Sequence, residues 1–121
     1  MFYALLLEWL EYKYRVATQQ FLGKKSLELI TYAGYETNVK NSIGPYFLSH
    51  PIKVTELSKE DLEEFYTAQL IHEEKSVTTV KHYHAVIHGA LEYAIGRKLR
   101  KANPSSRIGF PSQKAFKGDY Y

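Results

Sequence analysis

Ser76–Pro104, SVTTVKHYHAVIHGALEYAIGRKLRKANP, is the stretch whose reading decides the fold. Apolar residues recur at Val80, Tyr83, Ile87, Leu91 and Ala94, the three-four spacing of one helix face. Ser76 stands where a cap is needed, because its hydroxyl can accept a bond from an orphan N–H of the first turn. The opposite side carries Lys81, His82, Ala85, Gly89 and Glu92, all small or polar. Gly96 ends or loosens the helix, and Pro104 cannot continue it. The stretch therefore reads as one long helix closing in a basic cluster at Asn103-Pro104, with one side for a core and a thin, polar side left over.

The upstream chain supplies three more amphipathic elements. Phe2–Phe21 places Leu6, Trp9, Leu10, Tyr14 and Ala17 on one face, with Trp9 as a core anchor. Gly23-Lys24-Lys25-Ser26 reads as an exposed turn. A second helix runs from Leu29 or Thr31 to Ile43, with Tyr32, Tyr35, Val39 and Ile43 as its apolar stripe, and Gly44-Pro45 stops it. Phe47, Ile52 and Val54 follow in an extended connector. Ser58-Lys59-Glu60-Asp61 resembles a capping box and opens a third helix that buries Leu62, Phe65, Tyr66, Gln69 and Leu70. The expected fold is all-α, a compact four-helix bundle over residues 1–104. Ser105–Tyr121 is rich in Ser, Gly, Pro and Lys without a period and reads as a linker.

The 121 residues are enough for one domain with a real core. Cysteine is absent, which removes disulfides and thiolate metal sites and suits a reducing compartment. No apolar run is long enough to span a bilayer, so no membrane association is expected. The net charge of +3 conceals an asymmetry. Residues 1–74 hold 7 Lys/Arg against 11 Asp/Glu, a balance of −4, and residues 75–121 hold 9 against 2, a balance of +7. A basic half on a small domain fits a polyanionic partner. The acids crowd into Thr55–Glu74, which should pack away from such a partner.

Catalytic motifs are absent. There is no phosphate-binding glycine loop, no GxSxG and no HExxH. His84 and His88 are four apart, but Ala85, Val86 and Ile87 lie between them and a metal needs more ligands than two. His84 is expected to pack half-buried, and His82 and His88 to be surface or DNA-facing donors. Glu63-Glu64 and Glu73-Glu74 point in different directions on a helix and do not converge. No cofactor, no metal and no activity of the isolated chain are expected. What remains is binding by two low-bulk polar faces: Gly34, Thr37, Asn38 and Asn41 on one helix, and Thr78, Lys81, His82 and Ala85 on another. Such faces admit a groove, and their donors reach phosphates and base edges. A helical protein–protein interaction module with a basic tail is the alternative.

Three stretches in order carry a family resemblance: ITYAGYETNVKNSIGPYF (Ile30–Phe47), VTELSKEDLEEFY (Val54–Tyr66) and the Ser76–Pro104 helix. Their pattern is Thr31-Tyr32 leading to Ile43-x-Pro45-x-Phe47, then Leu57-Ser58-x-x-Asp61-Leu62-x-x-Phe65-Tyr66, then Ser76-x-x-Thr79-Val80-x-x-x-His84 running to Asn103-Pro104. It resembles the core-binding, SAM-like N-terminal domain of tyrosine recombinases, the phage-integrase family, from about Glu8 to Pro111. Val77 and Thr78 depart from the Pro and Lys or Arg that members often show there.

The resemblance implies a domain that clamps one side of a recombination core site in double-stranded DNA. It implies contacts with other recombinase protomers, in the DNA integration and recombination of a mobile element. It also implies a bacterial or phage-encoded protein, cytoplasmic and nucleoid-associated. The catalytic Arg–Lys–His–Arg set and tyrosine of the family lie in a following domain, and nothing here matches them; residues 105–121 would lead towards it. The expected phosphate contacts are Lys24, Lys25, Lys40, Ser76, Thr79 and Lys81. The expected groove-facing residues are Thr31, Asn38, Asn41, Thr78 and His82.

Overall fold

Phe2–Thr18 forms the first helix, α1, with Phe2, Leu5, Leu6, Trp9 and Leu10 turned inward. The computed structural model describes residues 1–18, 20–21, 24–25 and 29–108. Tyr14, expected on the inner face, is half exposed and meets the edge of Tyr32 instead; Ala17 lies outside the described side chains. Beyond α1, Gln20–Phe21 (β1) pairs antiparallel with Lys24–Lys25 (β2), a two-residue ladder where a turn was expected.

The next helix does not stop at Gly44-Pro45. Leu29–Asn38 (α2) passes through a π turn at Val39–Ile43 into Gly44–Ser49 (α3). Proline has no N–H, and its ring crowds the carbonyl four residues back, so a regular α-helix cannot run through it. Here the Gly44 N–H bonds the Val39 carbonyl five residues back, widening the helix just ahead of Pro45. The burial of Val39, Ile43 and Phe47 on either side of the proline rewards that widening. Gly44 is confined by space: a Cβ there would lie 2.5 Å from the Val39 carbonyl oxygen. Phe47 is thus helical, and only 50–58 form the irregular connector.

Lys59–Thr67 (α4) opens with the expected capping box. Ser58 Oγ accepts from the Asp61 N–H, and Asp61 Oδ2 accepts from the Ser58 N–H at 2.9 Å. A second π turn, Ala68–His72, extends it. Leu62, Phe65, Tyr66 and Gln69 are buried.

Val77–Gly96 (α5) is capped by Ser76, whose hydroxyl accepts from the Thr79 N–H at 3.1 Å. All five residues of the expected stripe are buried, joined by Val77, Val86 and Ala90. The helix ends at Gly96, short of Asn103-Pro104. The Leu99 N–H then bonds the Ala94 carbonyl and the Lys98 N–H the Ile95 carbonyl, with Lys98 left-handed at φ 62°.

The fold is all-α, with four helical rods among the described residues. An aromatic file of Phe2, Phe47, Phe65 and Tyr83 runs through the core at ring separations of 4.9, 5.3 and 6.1 Å. The packed body continues past Pro104. Pro104–Arg107 forms a 3-10 turn, Ser105 is fully buried and Ile108 packs on the core. Residues 109–121 of the expected linker lie outside the described residues.

Candidate nucleic-acid interface

The core stripe of α5 leaves a complementary outer row. Thr78, Lys81, His82, Ala85 and Glu92 are exposed. Gly89, expected among them, instead receives Trp9: a Cβ there would stand 3.1 Å from Trp9 Cζ2. The missing side chain lets α1 and α5 close on each other.

The two edges of α5 are held by different partners. On one edge the Tyr83 hydroxyl donates to Ser42 Oγ at 2.9 Å, tying α5 to the π turn between α2 and α3. On the other, the Tyr66 hydroxyl meets His84 Nδ1 at 3.0 Å, tying α5 to α4. Burial pushes the Tyr66 phenol above its ordinary range. Burial, and next the His88 charge, hold the His84 imidazole below its usual value. The outer row therefore projects between a polar rod on one flank and the acidic α4 on the other.

The expected site residues divide among several situations. Thr31 and Asn41 are exposed on the α2–α3 rod, and Asn38 is half-buried. Lys40 is exposed, but Glu36, one turn earlier, holds its ammonium at 3.1 Å. Thr78, Lys81 and His82 share the outer row of α5. Ser76 and Thr79 sit at its N-terminus, where the Ser76 hydroxyl donates to Thr79 Oγ1 at 2.9 Å. The backbones of Lys24 and Lys25 belong to the short ladder; their side chains lie outside the described ones.

The acidic segment is not wholly withdrawn. Glu60, Glu63 and Glu64 line a cleft of their own with His72. Glu73, at the far end, lines another with Asn41, Ser42, Gln69 and Lys75. A carboxylate thus stands beside Asn41, with Lys75 as the nearby cation.

Several polar residues have structural work the sequence did not disclose. His88, expected as a surface or DNA-facing donor, has Nδ1 2.9 Å from Ser105 Oγ. Asn103 Nδ2 donates to the His88 carbonyl and to Glu92, and its Oδ1 accepts from Ser105. Asn103 thereby pins the 3-10 turn to α5. Arg100 reaches back to the connector, donating to the Val54 and Leu57 carbonyls at 2.9 and 2.7 Å. Arg97 pairs with Glu8 and Tyr93. Half of the Arg97–Lys101 cluster is therefore engaged by partners elsewhere in the chain, Arg97 at the surface and Arg100 half-buried. Proximity in sequence could not show it, because every partner lies more than 40 residues away apart from Tyr93.

Among the described residues no helix is long and apolar enough to cross a membrane. No family model, curated protein or solved structure matches the chain.

Proposed function

We propose that this chain is a duplex-DNA-binding domain, of the core-binding type found in tyrosine recombinases, that acts in site-specific recombination and takes its catalysis from elsewhere. One observation carries the reading. The exposed row Thr78–Lys81–His82–Ala85 is joined, through the Tyr83–Ser42 hydrogen bond, to the rod that bears Asn41. Small and polar side chains on two adjoining helices admit a groove wall. Lys81 and Lys75 supply the positive charge that draws a phosphate backbone. The positive end of the α5 helix dipole, behind Ser76, adds to it. Lys40 leaves the list of principal phosphate contacts, because Glu36 already neutralises it.

Generic duplex should bind on the order of 10⁻⁴–10⁻⁶ M at physiological salt, with affinity falling steeply as salt rises. Titration of a labelled duplex at two salt concentrations measures both. Lys81→Ala should weaken binding and reduce the salt slope by about one. Binding indifferent to salt, or to Lys81, would count against the proposal. The exposure of Leu7 and Leu48, 42% and 61%, favours the second reading, a protein-docking module. Capture of a protein with no duplex affinity would decide for it.

A further inference from the structure

The far end of α1 carries aromatic rings and cations that the duplex face does not use. Tyr12 lies 5.0 Å from Tyr93, centroid to centroid, and is 38% exposed. Lys13 Nζ stands 5.7 Å from the Tyr12 ring centre and 5.8 Å from that of Trp9. Trp9 in turn packs on Tyr35 at 5.2 Å. Among the described residues no carboxylate lies within 4 Å of Lys13, so the two rings hold this ammonium in the absence of an ion pair. Glu8, the nearest acid to Tyr93, is already paired with Arg97. Glu11 precedes Lys13 by two residues, a spacing that turns the two side chains to different sides of a helix.

We infer that the Tyr12–Lys13 edge is a stacking site for an unpaired nucleotide, with the base against the exposed part of the Tyr12 ring and its phosphate on Lys13. A duplex hides the flat faces of its bases, so a ring platform offers it little. A single strand exposes them, and a cation beside an aromatic ring matches a base and phosphate one nucleotide apart. The edge is rigid for the same reason. Tyr12 rests on Tyr93, which Glu8 and Arg97 fix by hydrogen bonds, so stacking orders few groups that were free before. The site stands apart from the duplex reading and does not rest on it. It would serve a protein that meets melted or frayed strands.

The test uses the intact chain with a labelled oligothymidine of about twelve nucleotides, within the usual length of such sites, and a blunt duplex of equal length. Fluorescence anisotropy should detect both. Tyr12→Leu keeps apolar bulk but removes the π face, and should weaken the single strand on the order of 5- to 150-fold while leaving the duplex unchanged. Tyr12→Phe should bind the single strand like the unaltered chain. Lys13→Ala should lower its salt slope by about 0.7. An unaltered chain that ignores oligothymidine, or a folded Tyr12→Leu that binds it normally, overturns the site. A chain that binds oligothymidine and not the duplex overturns the duplex reading and leaves this one standing.

Discussion

The first turns of α5 and the turn that follows its last one are both basic, yet their cations do different jobs. Lys81 and its neighbours stand on an exposed row. Arg97 and Arg100 are engaged by other parts of the chain, Arg97 at the surface with Glu8 and Tyr93, Arg100 with two carbonyls of the connector. A count along the chain gives the C-terminal half a balance of +7, but part of that charge is consumed in holding the fold. The guanidinium explains the division. Its planar fork satisfies several acceptors at once, whereas a lysine on a flexible stem stays hydrated.

Removing the committed cation is the harshest way to break this contrast. Arg100→Met keeps the apolar stem but abandons the carbonyls of Val54 and Leu57. Bonds to a charged donor are worth about 1.5–3 kcal/mol each, and Nε is buried without a partner, which offsets some of that. The net loss should be about 2–4 kcal/mol, read as a lower urea midpoint. Lys81→Ala should leave the same midpoint within about 0.5 kcal/mol, as for other surface changes. Equal costs at the two positions would erase the distinction.

The contrast also marks what the sequence could show. The α5 stripe, both serine caps and the burial of Trp9 were legible because they depend on period and on neighbours within four residues. The exposure of Thr78, Lys81 and His82 follows as the complement of that stripe. The Lys40–Glu36 pair was within the same reach, since four-residue spacing announces it. Gly44-Pro45 misled, because the proline that forbids a regular α-helix is accommodated by a π turn, and what rewards that turn is the burial of Val39, Ile43 and Phe47 against the rest of the fold. Gly96 is the last helical residue, as its sequence position suggested, but the left-handed position falls two later on Lys98. Arg100 and Asn103 find partners only after the chain has folded.

A gentler break acts on the hinge between the open row and the rod beside it. Tyr83→Phe deletes one hydroxyl and leaves Ser42 without its donor. The expected cost is about 1 kcal/mol of stability. Duplex affinity should fall with it, because Asn41 is then no longer held against α5, while oligothymidine binding at Tyr12 stays as it was. A stability loss with both affinities intact would mean that the bond serves packing alone. Loss of both affinities would mean that the two surfaces are not independent.

The smallest effect carries the opposite sign. Lys98 occupies the left-handed position that closes α5, at φ 62°, where a residue with a Cβ is disfavoured by roughly 1 kcal/mol relative to glycine. Lys98→Gly should therefore raise the unfolding midpoint, by about 0.5–1 kcal/mol. Lysine held in that conformation is an exposed cation of the first kind placed within the second region. If the open cations bind duplex as a set, Lys98→Gly will stabilise the chain and lower the salt slope by about one. If only the α5 row binds, the chain becomes more stable and its slope does not change. Either outcome fixes how far along α5 the duplex-facing charge extends, because between Glu92 and the Lys98 turn α5 carries no ionisable side chain except the half-buried Tyr93 and the committed Arg97.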